Sequence, residues 1–96
     1  MTARSVSVIV CTHNRASALP QVVGQLYAQH YPQDSFEVII VDNRSTDNTA
    51  EVVQKFIEEK NIRLRYVKEN RPGVSFARNR GAKEARYPYL AYHDDD

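Results

Sequence analysis

The chain has 96 residues, with 13 Lys and Arg against 12 Asp and Glu for a formal net charge of +1. That length allows one small domain that buries somewhat above about 60% of its unfolded surface, and the balanced charge supplies no broad basic footprint for nucleic acid, leaving single-strand binding through the scattered arginines open but unsupported. Cys11 is the only cysteine, which rules out an intrachain disulfide and fits a reducing compartment.

In chain order, residues 5–11 (SVSVIVC) form a run rich in β-branched residues. It is too short for a signal peptide or a membrane span and reads as a first strand. The polar stretch Thr12-His13-Asn14-Arg15 follows it. A first helix is then expected, because Leu19, Val22, Val23, Leu26 and Tyr27 fall on one face at helical spacing. Ser17 is the expected N-cap, and Pro20 is tolerated in the first turn. Residues 31–34 (YPQD) close that unit.

The stretch at 36–49, FEVIIVDNRSTDNT, organises the rest. Its apolar run Val38-Ile39-Ile40-Val41 lacks alternation, as in a strand covered on both faces. The run stops at Asp42, so a buried strand carries a carboxylate to its C-terminal end, where open α/β sheets hold ligands. The bland alternative is that Asp42 simply caps the next helix together with Asp47. That second helix shows Thr49, Val52, Val53, Phe56 and Ile57 on one stripe. Residues 62–67 alternate, with Ile62, Leu64 and Tyr66 against Arg63 and Arg65, the pattern of an edge strand. Arg71-Pro72-Gly73 is a turn. A third helix is expected over 74–86, its inner face made small by Ala77, Gly81, Ala82 and Ala85 so that it can approach the sheet closely. Residues 88–93 form a fourth strand.

This βαβαβαβ pattern predicts an α/β, Rossmann-like parallel sheet of order 3-2-1-4 with three crossover helices. The polar stretches after all the strands, 12–15, 42–47, 68–73 and 93–96, then gather at one edge. The first of these loops, in CTHNRAS, has no glycine, so neither a dinucleotide G-x-G-x-x-G turn nor a P-loop is present. A phosphate there needs another source of positive charge. The acidic Asp94-Asp95-Asp96 is either a solvated tail or a hard-oxygen site for Mg2+ or Mn2+, the ion in turn binding a diphosphate. Arg15 and Arg78 could add charge. His13 and His93 read as bystanders, and Cys11 as a small buried hydrophobe.

Five segments taken together, VIVCTHNR (8–15), VIIVDNRSTD (38–47), NRPG (70–73), ARNRG (77–81) and YLAYHDDD (89–96), resemble glycosyltransferase family 2, whose members have the GT-A fold. The resemblance implies that residues 1–96 are the nucleotide-sugar-binding part of a truncated GT-A domain, with the acceptor-binding half and the general base beyond Asp96. It implies that Thr12, Asn14 and Arg15 line the nucleotide pocket, that Asp42 holds the base, usually uracil, and that Arg78 reaches the nucleotide. Asp94 would touch the nucleotide and, with Asp96, hold Mn2+ or Mg2+ on the diphosphate. The implied reaction is inverting transfer of a sugar from a nucleoside-diphosphate sugar, UDP-linked as the leading case, to an acceptor hydroxyl. This fragment would bind the donor only.

The sequence departs from the family at two points: Asn43 replaces the second of a usual aspartate pair, and His93 precedes the acidic motif where an apolar residue is usual. The alternatives are a non-catalytic nucleotide- or metal-binding module and a divergent Rossmann oxidoreductase. The expected setting is cytoplasmic, at the inner face of a membrane where other parts of a longer chain supply an attachment. As a fragment it would expose the edge of its fourth strand and self-associate.

Overall fold

The computed structural model describes residues 5–28, 36–60 and 64–93. Within them the order is β1 (Val6–Thr12), α1 (Leu19–Ala28), β2 (Phe36–Asp42), α2 (Thr49–Lys60), β3 (Leu64–Lys68), α3 (Val74–Glu84) and β4 (Tyr89–His93). All strand pairs are parallel and the sheet order is β3-β2-β1-β4, as the βαβ pattern predicts. β2 is buried along its whole length, which is why its apolar run does not alternate.

The sheet's two faces are covered differently. Val8, Val10, Val38, Ile40 and Leu64 pack with Leu19, Val22, Val23 and Leu26 of α1 and Val53 of α2. On the opposite face Ile9, Ile39 and Val41 meet Ala77 of α3. α3 lies close to the sheet because its inner residues are small. A Cβ added at Gly81 would sit 3.2 and 3.3 Å from Cγ1 and Cδ1 of Ile9, and closer still to Cγ2.

Element ends depart from the expected ones for local reasons. α1 starts at Leu19 with Ala18, not Ser17, in the N-cap position, since the Ala18 carbonyl accepts the first helical bond from Val22 at 3.1 Å. A turn closed by Ala18 N–H on the Arg15 carbonyl, 3.0 Å, occupies the preceding residues. α3 stops at Glu84 rather than Arg86: Ala85 is extended, and the Arg86 N–H is drawn 2.8 Å onto the carboxylate of Glu37. β3 is an edge strand as expected and runs to Lys68. The predicted contributions of Ile62 and Arg63, the turn at 31–34 and the acidic residues Asp94, Asp95 and Asp96 lie outside the described residues. Among the described residues, no helix is long and apolar enough to cross a membrane.

Candidate functional site at the carboxyl edge of the sheet

Parallel register places the strand ends side by side: Thr12 opposite Asp42, Asp42 opposite Lys68, and Val10 opposite His93. The loops that follow are tied together by asparagine side chains. Asn14 has a positive φ of 54°, a conformation that asparagine tolerates better than most residues. Its Oδ1 accepts from the backbone N–H of Thr46 at 2.7 Å and of Asp47 at 3.2 Å, and its own N–H donates to the Ser45 hydroxyl at 2.8 Å. Asn43 does the same for the next loop. Its Nδ2 donates to the carbonyls of Glu69 and Arg71 at 3.0 and 2.7 Å, and its Oδ1 accepts from Gly73 N–H at 3.0 Å. His13 completes the lacing with Nδ1 2.6 Å from the Asn43 carbonyl. A carbonyl only accepts, so Nδ1 carries the proton.

Asp42 is 5% exposed. Its Oδ1 accepts from Ser45 N–H at 3.0 Å and its Oδ2 from the Tyr66 hydroxyl. Burial, followed by the Asp42 bond and charge, pushes the Tyr66 phenol well above its ordinary value, so Tyr66 is a fixed donor that holds Asp42 in one orientation. Asp47, held below the usual carboxylate range chiefly by the Thr49 hydroxyl, binds the Thr49 N–H at 3.1 Å and reaches Ala16 N–H at 3.2 Å, joining the heads of α2 and α1. Glu69 is buried, and its two oxygens receive Nε and Nη2 of Arg71 at 3.1 and 3.0 Å. That pairing lowers its pKa to about 2. The Arg71 guanidinium also lies 4.5 Å over the Phe76 ring.

Between the end of β1 and the start of α3 is a cleft of about 390 Å3, lined by Cys11, Thr12, His13, Arg15, Asn43, Val74 and Ala77. It lies on the α3 face at the carboxyl ends of β1 and β2, the edge of the sheet at which open α/β sheets hold their ligands. Two features make it receptive to a polar anion. Arg15 lines it and brings a positive charge, whereas the Thr12 hydroxyl, buried and without a hydrogen-bond partner among the described residues, lies by strand alternation on the other face with Val8 and Val10. The first turn of α3 follows Gly73, at φ 118°, with no side-chain cap, so the positive end of the helix dipole borders the cleft at Val74.

Of the residues expected at this edge, Thr12 and Arg15 line the cleft. Arg78 is exposed one residue beyond Ala77, its guanidinium 5.8 Å over the ring of Tyr92 on β4. Asp42 sits at the neighbouring strand end and does not line the cleft, and Asn14 spends its side chain on the loop bonds above. Asp94 and Asp96 lie outside the described residues. Sequence reading passed over His13, Cys11, Val74 and Asn43 as cleft residues. For Asn43 the signal was available: an amide both donates and accepts, which a carboxylate in its place cannot do.

The fold and cleft define the class: a parallel α/β unit with a crevice at the carboxyl edge of its sheet, built without a glycine-rich phosphate loop. The sequence profile described as "Glycosyl transferase family 2" matches residues 7–96, and the chain belongs to that family. It is 40% identical over 90 residues to validoxylamine A glucosyltransferase of Streptomyces hygroscopicus subsp. jinggangensis, a match that takes in 92% of this chain and 21% of that protein. It is 32% identical over 90 residues to the poly(ribitol-phosphate) beta-N-acetylglucosaminyltransferase TarS of Staphylococcus aureus, covering 94% of this chain and 16% of TarS. Among solved structures, the mannosyltransferase PcManGT of Pyrobaculum calidifontis, in complex with GDP-Man and Mn2+, superposes with a TM-score of 0.90 at 35% identity, over 99% of this chain and 28% of that one. S. aureus TarS 1–349 in complex with UDP-GlcNAc superposes at 0.80 and 30% identity, over 96% of this chain and 26% of that one. The chain thus spans about a fifth of the length of the curated relatives compared here.

Proposed function

We propose that this chain is the donor-binding part of a glycosyltransferase that takes a nucleoside-diphosphate sugar, with UDP as the leading nucleotide. The observation that carries the reading is the cleft at the carboxyl edge of the sheet, where Arg15 meets the start of α3, which has no side-chain cap. Arg15 and the α3 N-terminus favour the diphosphate over a neutral ligand. Asp42, held fixed by Ser45 and Tyr66, keeps a further lone pair on each oxygen for a base N–H. Arg78 stands beside Tyr92 at the margin, within reach of a diphosphate in this reading.

A divalent ion also fits. β4 runs parallel to β1 with His93 opposite Val10, so β4 ends at the same edge of the sheet as β1. Among the described residues no group of three or more His, Cys, Asp or Glu could hold a metal, so the ligands in this reading are Asp94 and Asp96. Mn2+ or Mg2+ there would neutralise the departing diphosphate. The acceptor site and the general base belong, on this reading, to chain beyond residue 96, as the greater length of the relatives suggests, and residues 1–96 alone bind donor without transferring sugar. The setting is cytoplasmic, at the inner face of a membrane where another part of the protein provides an attachment.

A thermal-shift panel tests this with UDP, GDP, dTDP, CDP and NAD, each with Mn2+ and with chelator. A ligand that binds only the folded state raises Tm in proportion to the logarithm of its concentration over Kd. The expected result is a rise with one nucleoside diphosphate that chelator abolishes, and that Asp94→Ala and Arg15→Ala each weaken. A rise with NAD alone, indifferent to metal, would sink the reading.

A further inference from the structure

Glu37 lies near the start of β2, at the opposite end of the sheet from the cleft, and is 4% exposed. A carboxylate buried there is costly unless fully hydrogen-bonded, and this one is. Its Oε2 accepts from the Ser7 hydroxyl at 2.7 Å and from the backbone N–H of Arg86 at 2.8 Å, while its Oε1 accepts from Arg65 at 3.2 Å. Ser7, itself fully buried, accepts in turn from the Tyr87 N–H at 3.2 Å. Two successive backbone N–H groups between α3 and β4 are therefore held by one carboxylate and the hydroxyl it orients. Arg65 extends the grip to the end of α3, donating to the Glu84 carbonyl at 2.7 Å and to its carboxylate at 3.1 Å. Burial pushes Glu37 up, but the bonds from Arg86, Ser7 and Arg65 outweigh it, so the group stays ionised and accepting at neutral pH.

β4 leaves most of its side chains exposed. Tyr89, Leu90 and Tyr92 are 51, 42 and 49% exposed, and Ala91 is the β4 residue that packs on the larger core cluster. Among the described residues the strand pairs with β1 alone. A slip of two residues would keep its faces but move its end about 7 Å, more than the width of a metal-binding turn.

We infer that Glu37 is a positioning residue: by fixing the entry to β4 it sets where that strand delivers His93 relative to the cleft. Glu37 precedes Asp42 on the same strand by about 17 Å of β-rise, so it acts through β4 and touches no ligand. The anchoring of β4 stands on the hydrogen bonds alone, and its consequence for the diphosphate site rests on the proposed function.

Amide hydrogen exchange on the whole chain, under conditions where every variant is folded, tests it with Glu37→Gln and Ser7→Ala. Glutamine keeps the shape but must turn an NH2 toward either Arg65 or the Ser7 and Arg86 donors. The expected result for both variants is exchange over residues 86–93 faster by at least about tenfold, with residues 36–42 and 64–68 changed by less than about threefold. An equal rise in all strands, the mark of general loosening, overturns the inference, as does wild-type protection of β4 in both variants. If Glu37→Gln does not fold, Ser7→Ala decides, since it removes one hydroxyl. Titration of the wild type with UDP, GDP, dTDP and CDP, each with Mn2+, keeps the two readings apart. Failure to bind any nucleoside diphosphate would remove the donor site, while the exchange pattern would still decide the role of Glu37.

Discussion

Asn43 holds three backbone groups of the β3–α3 loop with one amide, and this gives a physical reason for its departure from the aspartate pair usual in the family. In Asn43→Asp the two Nδ2 donors are lost, and a carboxylate faces the carbonyls of Glu69 and Arg71. The substitution is expected to cost about 1–3 kcal/mol, read as a lower urea midpoint with an unchanged slope. Glu69 adds a pH dependence. Its folded pKa of about 2 lies below the ordinary 4.5, so the stability it contributes is fully present above 4.5 and is lost as pH falls toward 2. Glu37, also depressed, acts in the same direction. Urea midpoints measured across that range should fall with acid in the wild type and fall less steeply in Glu69→Gln. An equal slope in the two proteins would show that Arg71 does not hold Glu69 ionised.

Among the elements, α3 is the one whose position is set by a missing side chain. Alanine for glycine inside a helix should gain up to about 1 kcal/mol of propensity, yet at Gly81 the new Cβ meets Ile9 in the middle of the sheet. Overpacking of this kind costs about 1–3 kcal/mol, so Gly81→Ala is expected to lower Tm. Because the clash is with the Ile9 side chain, the double variant with Ile9→Ala should lose less than the sum of the two single losses. A rise in Tm for the single variant would mean that α3 can lift off the sheet at little cost. Such freedom would also shift Val74 and Ala77, which form one wall of the cleft.

For the whole molecule, β3 and β4 are the edge strands of the sheet among the described residues, and β4 is the more exposed of the two. It carries Tyr89, Leu90 and Tyr92 to solvent, with Val74 and Phe76 of α3 also exposed nearby in the chain. Unpaired edges flanked by apolar side chains promote strand pairing between copies. Light scattering on the isolated chain is therefore expected to show mass rising with concentration, and Leu90→Lys to reduce it. A monomer at every concentration would show that β4 needs no cover. That outcome would also weaken the view that further chain packs there in the longer protein.

The sequence by itself determined the order of elements, the parallel sheet and its 3-2-1-4 arrangement. Those follow from local periodicities, from the unbroken run at Val38 to Val41, and from handed crossovers that leave few topologies open. It also determined that Asp42 stands at a strand end beside Thr12, because register follows once the strands are placed. Only the tertiary structure decided what the polar side chains do. Asn14 and Ser45, Asn43 and Gly73, and Glu37 and Ser7 are each about 30 residues apart in the chain, and no periodicity encodes a hydrogen bond across such a separation. The same holds for the Thr12 hydroxyl. That it is buried and left unpartnered depends on which loops close over it, and those loops are held by side chains whose partners exist only after folding.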